Sequence, residues 1–442
     1  RLKHVPIAPF NTVLGDPTTR YEQTRMYMEA RYSRELKAGR ELMARVWYDG
    51  YRFDDHLLTW EDDAPTDPTQ DWGTYLFRDR ARADQGGAEL QLGFELANSP
   101  TLRDQLYVGV ESSYVATVSE SFVSEGAQEL DKVSVPVNGL LVGAYAQNEL
   151  VAAEKLHVVL GLRFDYNQNF FDPAQVLETL SPRGAVIYKA RNDSTFKLMY
   201  ARGFRNPSVY EAFFEDGADI AANDSLRPES IQNLEFAYEY RQKKNLKLGV
   251  GLYYFQATNL LRQQTICLDG SLELESCTEI RQQFQNLAQV QGLGSEATLQ
   301  VNLDNGLVAR GTLALQQSTD LADYRPLTNS PTALANLMAS YPVIKDKGSL
   351  ALHLHAVSPR TIGPDASGAY ETLPANLLLN LVFNSQELVK GVSLTTGVYN
   401  LLDWRVPDVA VSEDIVVDHT DQQVLTVPQD GRTFAFQLGY KF

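Results

Sequence analysis

At 442 residues, 44% of them hydrophobic, the chain is too long for one compact soluble core, so it forms either several domains or one very large architecture. Its formal net charge of -17 argues against a nucleic-acid partner, whose phosphate backbone calls for a basic excess. No run approaches the roughly 18–20 consecutive apolar residues of a membrane-crossing helix, but a membrane β-barrel escapes that test because only alternate residues meet lipid.

The opening residues, Arg1-Leu2-Lys3-His4, carry neither an initiator methionine nor a signal peptide, as in a processed or truncated chain. Strand-period alternation then runs along the sequence. Leu90, Leu92, Phe94 and Leu96 oppose Glu89, Gln91 and Glu95. The same pattern sets Leu156, Val158, Leu160, Leu162, Phe164 and Tyr166 against His157, Arg163 and Asp165. It recurs in Phe196-Leu198-Tyr200, in Leu234-Phe236-Tyr238-Tyr240 and in Leu246-Leu248-Val250-Leu252-Tyr254. It is clearest at the end, where Phe434, Phe436, Leu438, Tyr440 and Phe442 share one face and Thr433, Ala435, Gln437, Gly439 and Lys441 the other.

These runs reach about ten residues or more, against a usual 5–6 in globular sheets, and tyrosines gather at the ends of the apolar faces like an interfacial girdle. The charged alternates then require a wet interior, because one lipid-facing Lys or Arg at the membrane midplane costs ~2–4 kcal/mol. Connections alternate as well. Short turns are expected at Lys37-Ala38-Gly39, Arg191-Asn192-Asp193, 241–245, Asp304-Asn305-Gly306 and 345–348. Long polar segments are expected near 54–83, 120–134, 204–228, 262–281, 358–373 and 403–431. Short turns on the periplasmic side and long loops outside are the signature of a transmembrane antiparallel β-barrel, and an all-β fold of about 17 strands starting near Arg20 is expected. An open sheet of that size would leave unpaired edges in lipid, and bacterial barrels usually have an even strand count, so further N-terminal strands are expected beyond this chain. The two cysteines, Cys267 and Cys277, suit a small loop disulfide formed in an oxidising compartment.

Several segments, in order, resemble the TonB-dependent outer-membrane receptors. They are Arg1–Phe10 with Gly15-Asp16-Pro17, Ala144-Tyr145-Ala146-Gln147-Asn148-Glu149 with Gly161–Asp165, and Ser181-Pro182-Arg183 leading to Gly203-Phe204-Arg205-Asn206-Pro207. Leu226-Arg227-Pro228-Glu229, Tyr399-Asn400-Leu401-Leu402-Asp403 and Val427–Phe434 complete the set. The resemblance implies that residues 1–442 hold about 17 strands of a 22-stranded barrel, with the plug and about five N-terminal strands absent. It implies a receptor rather than an enzyme: an outer-membrane protein importing a scarce ligand, most readily a ferric siderophore, energised by the TonB-ExbB-ExbD complex. Cobalamin or glycan uptake and a passive porin are the alternatives. Partners would be outer-membrane lipid and a small-molecule ligand, with no resident cofactor.

After Arg205 come Tyr210, Phe213 and Phe214, aromatics beside a guanidinium that suit stacking on, and pairing with, a planar oxygen-rich chelate. Trp60 and Trp72 in the first long loop have similar standing, with Tyr75 and Phe77 near them. No histidine lies between Asn206 and Leu226, which weighs against haem. Glu61, Asp62, Asp63, Asp67 and Asp71 lack an EF-hand spacing, and His353 and His355 lack a third ligand nearby, so no metal site is expected.

Overall fold

The computed structural model describes residues 2–4, 13, 16–60, 74–125, 137–168, 176–213, 215, 220–242, 245–269, 277–322, 324–345, 347–364, 370–405, 407–409, 426–427 and 429–441. In chain order the first strands are β1 (Leu2–His4), β2 (Arg20–Leu36), β3 (Arg40–Trp60), β4 (Thr74–Asn98), β5 (Leu102–Glu125), β6 (Val137–Ala152) and β7 (Leu156–Gln168). Then follow β8 (Val176–Arg191), β9 (Ser194–Arg205), a one-turn helix α1 (Val209–Phe213), β10 (Ile220–Ala221), β11 (Glu229–Gln242), β12 (Leu246–Cys267) and β13 (Ile280–Asn302). The remainder are β14 (Val308–Asp320), β15 (Ala333–Ile344), β16 (Gly348–Val357), β17 (Arg360–Pro364), β18 (Tyr370–Leu373), β19 (Asn376–Val389), β20 (Val392–Tyr399), β21 (Asp408–Val409), β22 (Thr426–Val427) and β23 (Thr433–Tyr440). Leaving out the short strands β1, β10, β17, β18, β21 and β22, seventeen remain from Arg20 onward among the described residues, the number expected from the alternation.

Two compact units divide the chain. The first comprises residues 1–184, 201–232 and 257–289, the second 185–200, 233–256 and 290–442. In the first, each of β1 to β7 pairs antiparallel with its sequence neighbours. In the second, β13, β14, β15, β16, β19, β20 and β23 form the same kind of meander. The small hairpins β17–β18 and β21–β22 lie inside its long connections. Those connections are tied to one another: Arg360 donates to Asn329 and pairs with Asp408, and Arg325 stands 5.1 Å over the Tyr370 ring.

Relative to a soluble sheet, the faces are inverted. Leu160, Leu162 and Phe164 on β7 are exposed, as are Phe434, Phe436, Leu438 and Tyr440 on β23, while the polar alternates of β7 are partly covered. The polar face of the first unit carries its own ion network. Arg45 on β3 reaches Glu29 on β2 (3.7 Å), Glu89 on β4 (2.8 Å) and Glu111 on β5 (3.3 Å). Arg163 on β7 takes the other oxygen of Glu111 at 3.2 Å and also pairs with Asp165 at 2.7 Å. The Tyr145 hydroxyl donates to Glu89 and Gln91, both at 2.8 Å. Its ring lies across Gly109, the residue directly opposite on β5, and a Cβ there would collide with it.

Three long polar segments prove shorter than expected. Residues 54–60 and 74–83 continue β3 and β4, 120–125 continue β5, and 262–267 continue β12. Strands that run past an apolar band into water have two polar faces, so pairing persists after the alternation has ended. One turn left no sequence signal. Ala153 and Glu154 both have positive φ (49° and 57°) and close a two-residue hairpin in which the Lys155 amide donates to Ala152. That geometry matches the turn type favoured by Asn-Gly.

Two outcomes follow from these contacts. Arg45→Ala leaves three carboxylates facing one another and lowers the unfolding free energy by about 2 kcal/mol, read from denaturant titration in detergent micelles. Replacing Ala153-Glu154 by Asn-Gly removes strain of about 1 kcal/mol or more per residue and raises the same midpoint.

Candidate functional site

The segment after β9 folds into a pinned platform, all of it within the first unit. Ser208 and Glu211 form a reciprocal capping box: the Ser208 amide donates to Glu211 Oε2 at 2.7 Å, and the Glu211 amide donates to Ser208 Oγ at 3.2 Å. Arg205 at the end of β9 grips the same Glu211 with two parallel bonds, 2.8 and 2.9 Å, and donates from Nε to Glu229 on β11 at 2.5 Å. The second Glu229 oxygen accepts from the Leu261 amide of β12 at 2.8 Å. One guanidinium thus joins β9, α1, β11 and β12.

Beyond α1 the chain is stitched down again. The Asn223 amide donates to Ala212, and its side chain donates to the Phe284 carbonyl. β10 pairs parallel with β13, and Asn286 exchanges two bonds with the Arg227 backbone at 2.8 and 2.9 Å. Ala212, Ala221, Leu226 and Ala257 are buried. Tyr210 is 37% exposed and meets Phe284 edge-on at 6.0 Å.

Burial raises the Glu211 carboxyl, but the bonds from Arg205 and from Ser208 outweigh it and hold the group below the ordinary glutamate value of 4.5. A group depressed on folding contributes order above its unfolded value and loses it as pH falls through the folded one.

Within the first unit, a cavity of about 240 Å³ opens on the polar face between Trp47, Arg163, Thr179, Phe204 and Asn206. Trp47 Nε1, Thr179 Oγ1 and Asn206 Oδ1 are buried there without a hydrogen-bond partner. A second cavity of about 520 Å³ is lined by Glu89, Gln91, Tyr145, Arg163 and Arg183 among others.

The structure brings Arg205, Tyr210 and Phe213 together on the platform. Phe214 and Trp72 lie outside the described residues, as do Glu61, Asp62, Asp63, Asp67 and Asp71. Trp60 ends β3, opposite Thr74. Cys267 and Cys277 are joined in a disulfide with a Cα–Cα distance of 5.8 Å, and Asp269 beside them accepts from both the amide and the hydroxyl of Thr278 at 2.6 Å. His355 bonds Asn336 at 2.7 Å and His353 meets Asn380 at 3.4 Å. Neither Glu211 nor Glu229, the partners of Arg205, was singled out in the sequence as a site residue. The Ser208-x-x-Glu211 spacing was a legible sign of the first; the second stood in the Leu226-Arg227-Pro228-Glu229 motif, which gave no hint of its partner.

A long antiparallel meander with an outward apolar face and charged alternates opposite defines an outer-membrane strand protein. Residues 6–401 match the family described as TonB dependent receptor-like, beta-barrel, and the chain belongs to that family, whose members are receptors of the outer membrane rather than enzymes. Among solved structures it is similar to the copper transporter OprC (16% identity, TM-score 0.69, covering 96% of this chain and 66% of that one). It is similar also to an R480A mutant of the ferric enterobactin receptor PfeA from Pseudomonas aeruginosa, in complex with enterobactin (18%, 0.69, 97% and 64%). The ferric-catecholate import receptor Fiu from K12 E. coli is comparable (13%, 0.67, 96% and 65%). At these identities the likeness is one of fold, and the chain spans just under two thirds of each of the three. No curated protein matches the sequence.

If the Arg205 clamp orders the platform, a nitroxide label at residue 215 keeps a restricted spectrum from neutral pH down to the ordinary glutamate value of 4.5 and becomes mobile only at lower pH, as Glu211 takes up its proton. Arg205→Ala gives the mobile spectrum at every pH, at a cost of about 1–2 kcal/mol of local order, discounted for the half-exposed guanidinium.

Proposed function

We propose that this chain is the membrane-spanning portion of an outer-membrane receptor that actively imports a ferric siderophore, with energy supplied through TonB-ExbB-ExbD. The observation that carries this reading is the ordered platform between β9 and β11, which presents Tyr210 and Phe213 on a frame fixed by Arg205. A loop held in place before binding spends little ligand affinity on its own ordering. With Arg205 engaged by two carboxylates, recognition falls to the aromatics, with Tyr210 at the centre and Phe214, Trp60 and Trp72 as further contacts. Oxygen-rich chelates suit such a surface, because their rings stack on the aromatics. The donors and acceptors of the polar-face cavities then offer stepping points along the route. Membrane lipid surrounds the apolar faces.

The reading is tested by uptake of radiolabelled iron from single purified siderophores in a strain carrying the full-length receptor. Deleting the TonB system abolishes uptake; unchanged uptake would mark a passive pore. Tyr210→Ala weakens binding of the transported chelate about five- to tenfold while leaving the receptor in the outer membrane. Growth unaffected by every iron chelate, but dependent on the receptor with cobalamin or a glycan, would replace the substrate class.

A further inference from the structure

On the apolar face of the first unit, the residues that share a side can be followed by register. Met26 and Met28 on β2, Val46 and Tyr48 on β3, Leu90 and Leu92 on β4, and Val110 and Tyr114 on β5 are all exposed and apolar or aromatic. Directly paired residues of antiparallel strands point to one face, and every second residue repeats it. Met26 pairs with Gly50, and Tyr48 with Gly86. Continuing by twos away from the short turns, the same face carries Thr24, Glu22 and Arg20 on β2, Arg52 and Asp54 on β3, and Asp84, Arg82, Arg80 and Arg78 on β4. On β5 the register sets uncharged Ser119, Ser121 and Val123 opposite Arg82, Arg80 and Arg78.

Five arginines therefore stand against three carboxylates in a chain that is acidic overall, and they stand on the side that faces lipid lower down. Arg78 takes Asp54 in a two-bond grip at 2.7 Å, with Arg80 3.5 Å from the same carboxylate. Arg20 pairs with Glu22 at 2.9 Å, and Arg82 with Asp84 at 2.6 Å. Asp84 also accepts from the Tyr48 hydroxyl, so the aromatic edge of the apolar band and the arginine patch are bonded together. Between them an open groove of about 390 Å³ is lined by Arg52, Arg80 and Arg82, with the carboxylates of Glu22 and Asp54 and with Thr24 and Phe53. Arg52 lies only four residues past Tyr48, about 13 Å along the strand.

Resting on the membrane-spanning reading above, we infer that this groove seats the phosphate groups of anionic lipid headgroups in the surrounding leaflet. Guanidinium forks match phosphate oxygens in pairs, and their position just beyond an aromatic girdle is where headgroups lie. An excess of arginine on a face continuous with the apolar band has no equivalent demand from a soluble ligand, which would enter on the polar face. The lipid would thereby be held against β2–β4.

The test is native mass spectrometry of the full-length receptor in detergent, with diphosphoryl lipid A, monophosphoryl lipid A, phosphatidylcholine and inorganic phosphate as probes. The comparison is wild type, the triple variant Arg52→Ala/Arg80→Ala/Arg82→Ala, and an Arg31→Ala/Arg103→Ala control on the opposite face. Expected is preference for diphosphoryl lipid A over phosphatidylcholine, weakened about tenfold or more in the triple variant and kept in the control. Equal binding by the triple variant, in a protein that still shows a heat-modifiable band and fractionates with the outer membrane, overturns the inference and leaves the membrane reading intact. Displacement of lipid A by inorganic phosphate at equal concentration also overturns it, as a free-anion site. Wild type recovered outside the outer membrane instead removes the reading on which the inference rests.

Discussion

Everything in this chain follows from turning a sheet inside out. Once the apolar alternates face outward, the other face must hold charge without an apolar core around it, and it does so by making each charge another's partner. Arg45 is the hub: three carboxylates from three strands converge on it, and Glu111 passes the connection on to Arg163. Removing the hub does not merely delete contacts; it leaves like charges assembled by the backbone register. Strand order and electrostatics are thus the same constraint, since only this register brings Glu29, Glu89 and Glu111 within reach of one guanidinium.

The loop platform repeats that logic at the strand ends. A single guanidinium, Arg205, fixes α1 through Glu211 and fastens β11 through Glu229, whose second oxygen is bonded to β12. Charge pairing serves here to place aromatic side chains rather than to join strands. On the face of the same unit that carries the apolar alternates the balance is reversed, with arginines in excess. The three sets of charges, on the polar face, at the platform and beyond the aromatic edge, have different partners because they meet different surroundings.

How much of this was legible depended on whether a signal was periodic. Strands such as Leu156–Gln168 and Thr433–Tyr440 announced themselves because lipid and water impose opposite demands on successive residues. The outer reaches of β3 and β4 did not, since both of their faces are wetted and Arg78, Arg80 and Arg82 read as loop. The Ala153-Glu154 turn was hidden because neither residue favours positive φ; the tight connection forces it. Arg205 was recognised as a site residue from its motif. Its partner Glu229 lies twenty-four residues away, and only the pairing of β9 with β11 brings them together.

The neighbour-by-neighbour pairing has a further meaning for how such a chain diversifies. Because the strands of each meander join those adjacent in sequence, the entropy of closing each hairpin is set by its own connection alone. The cost grows only with the logarithm of loop length, so the thirteen residues between Trp60 and Thr74 cost roughly 1.3 kcal/mol more to close than the three between Leu36 and Arg40. The long connections can therefore lengthen, shorten or exchange while the strands they join pair as before. Recognition is free to drift on a scaffold whose assembly scarcely registers the change.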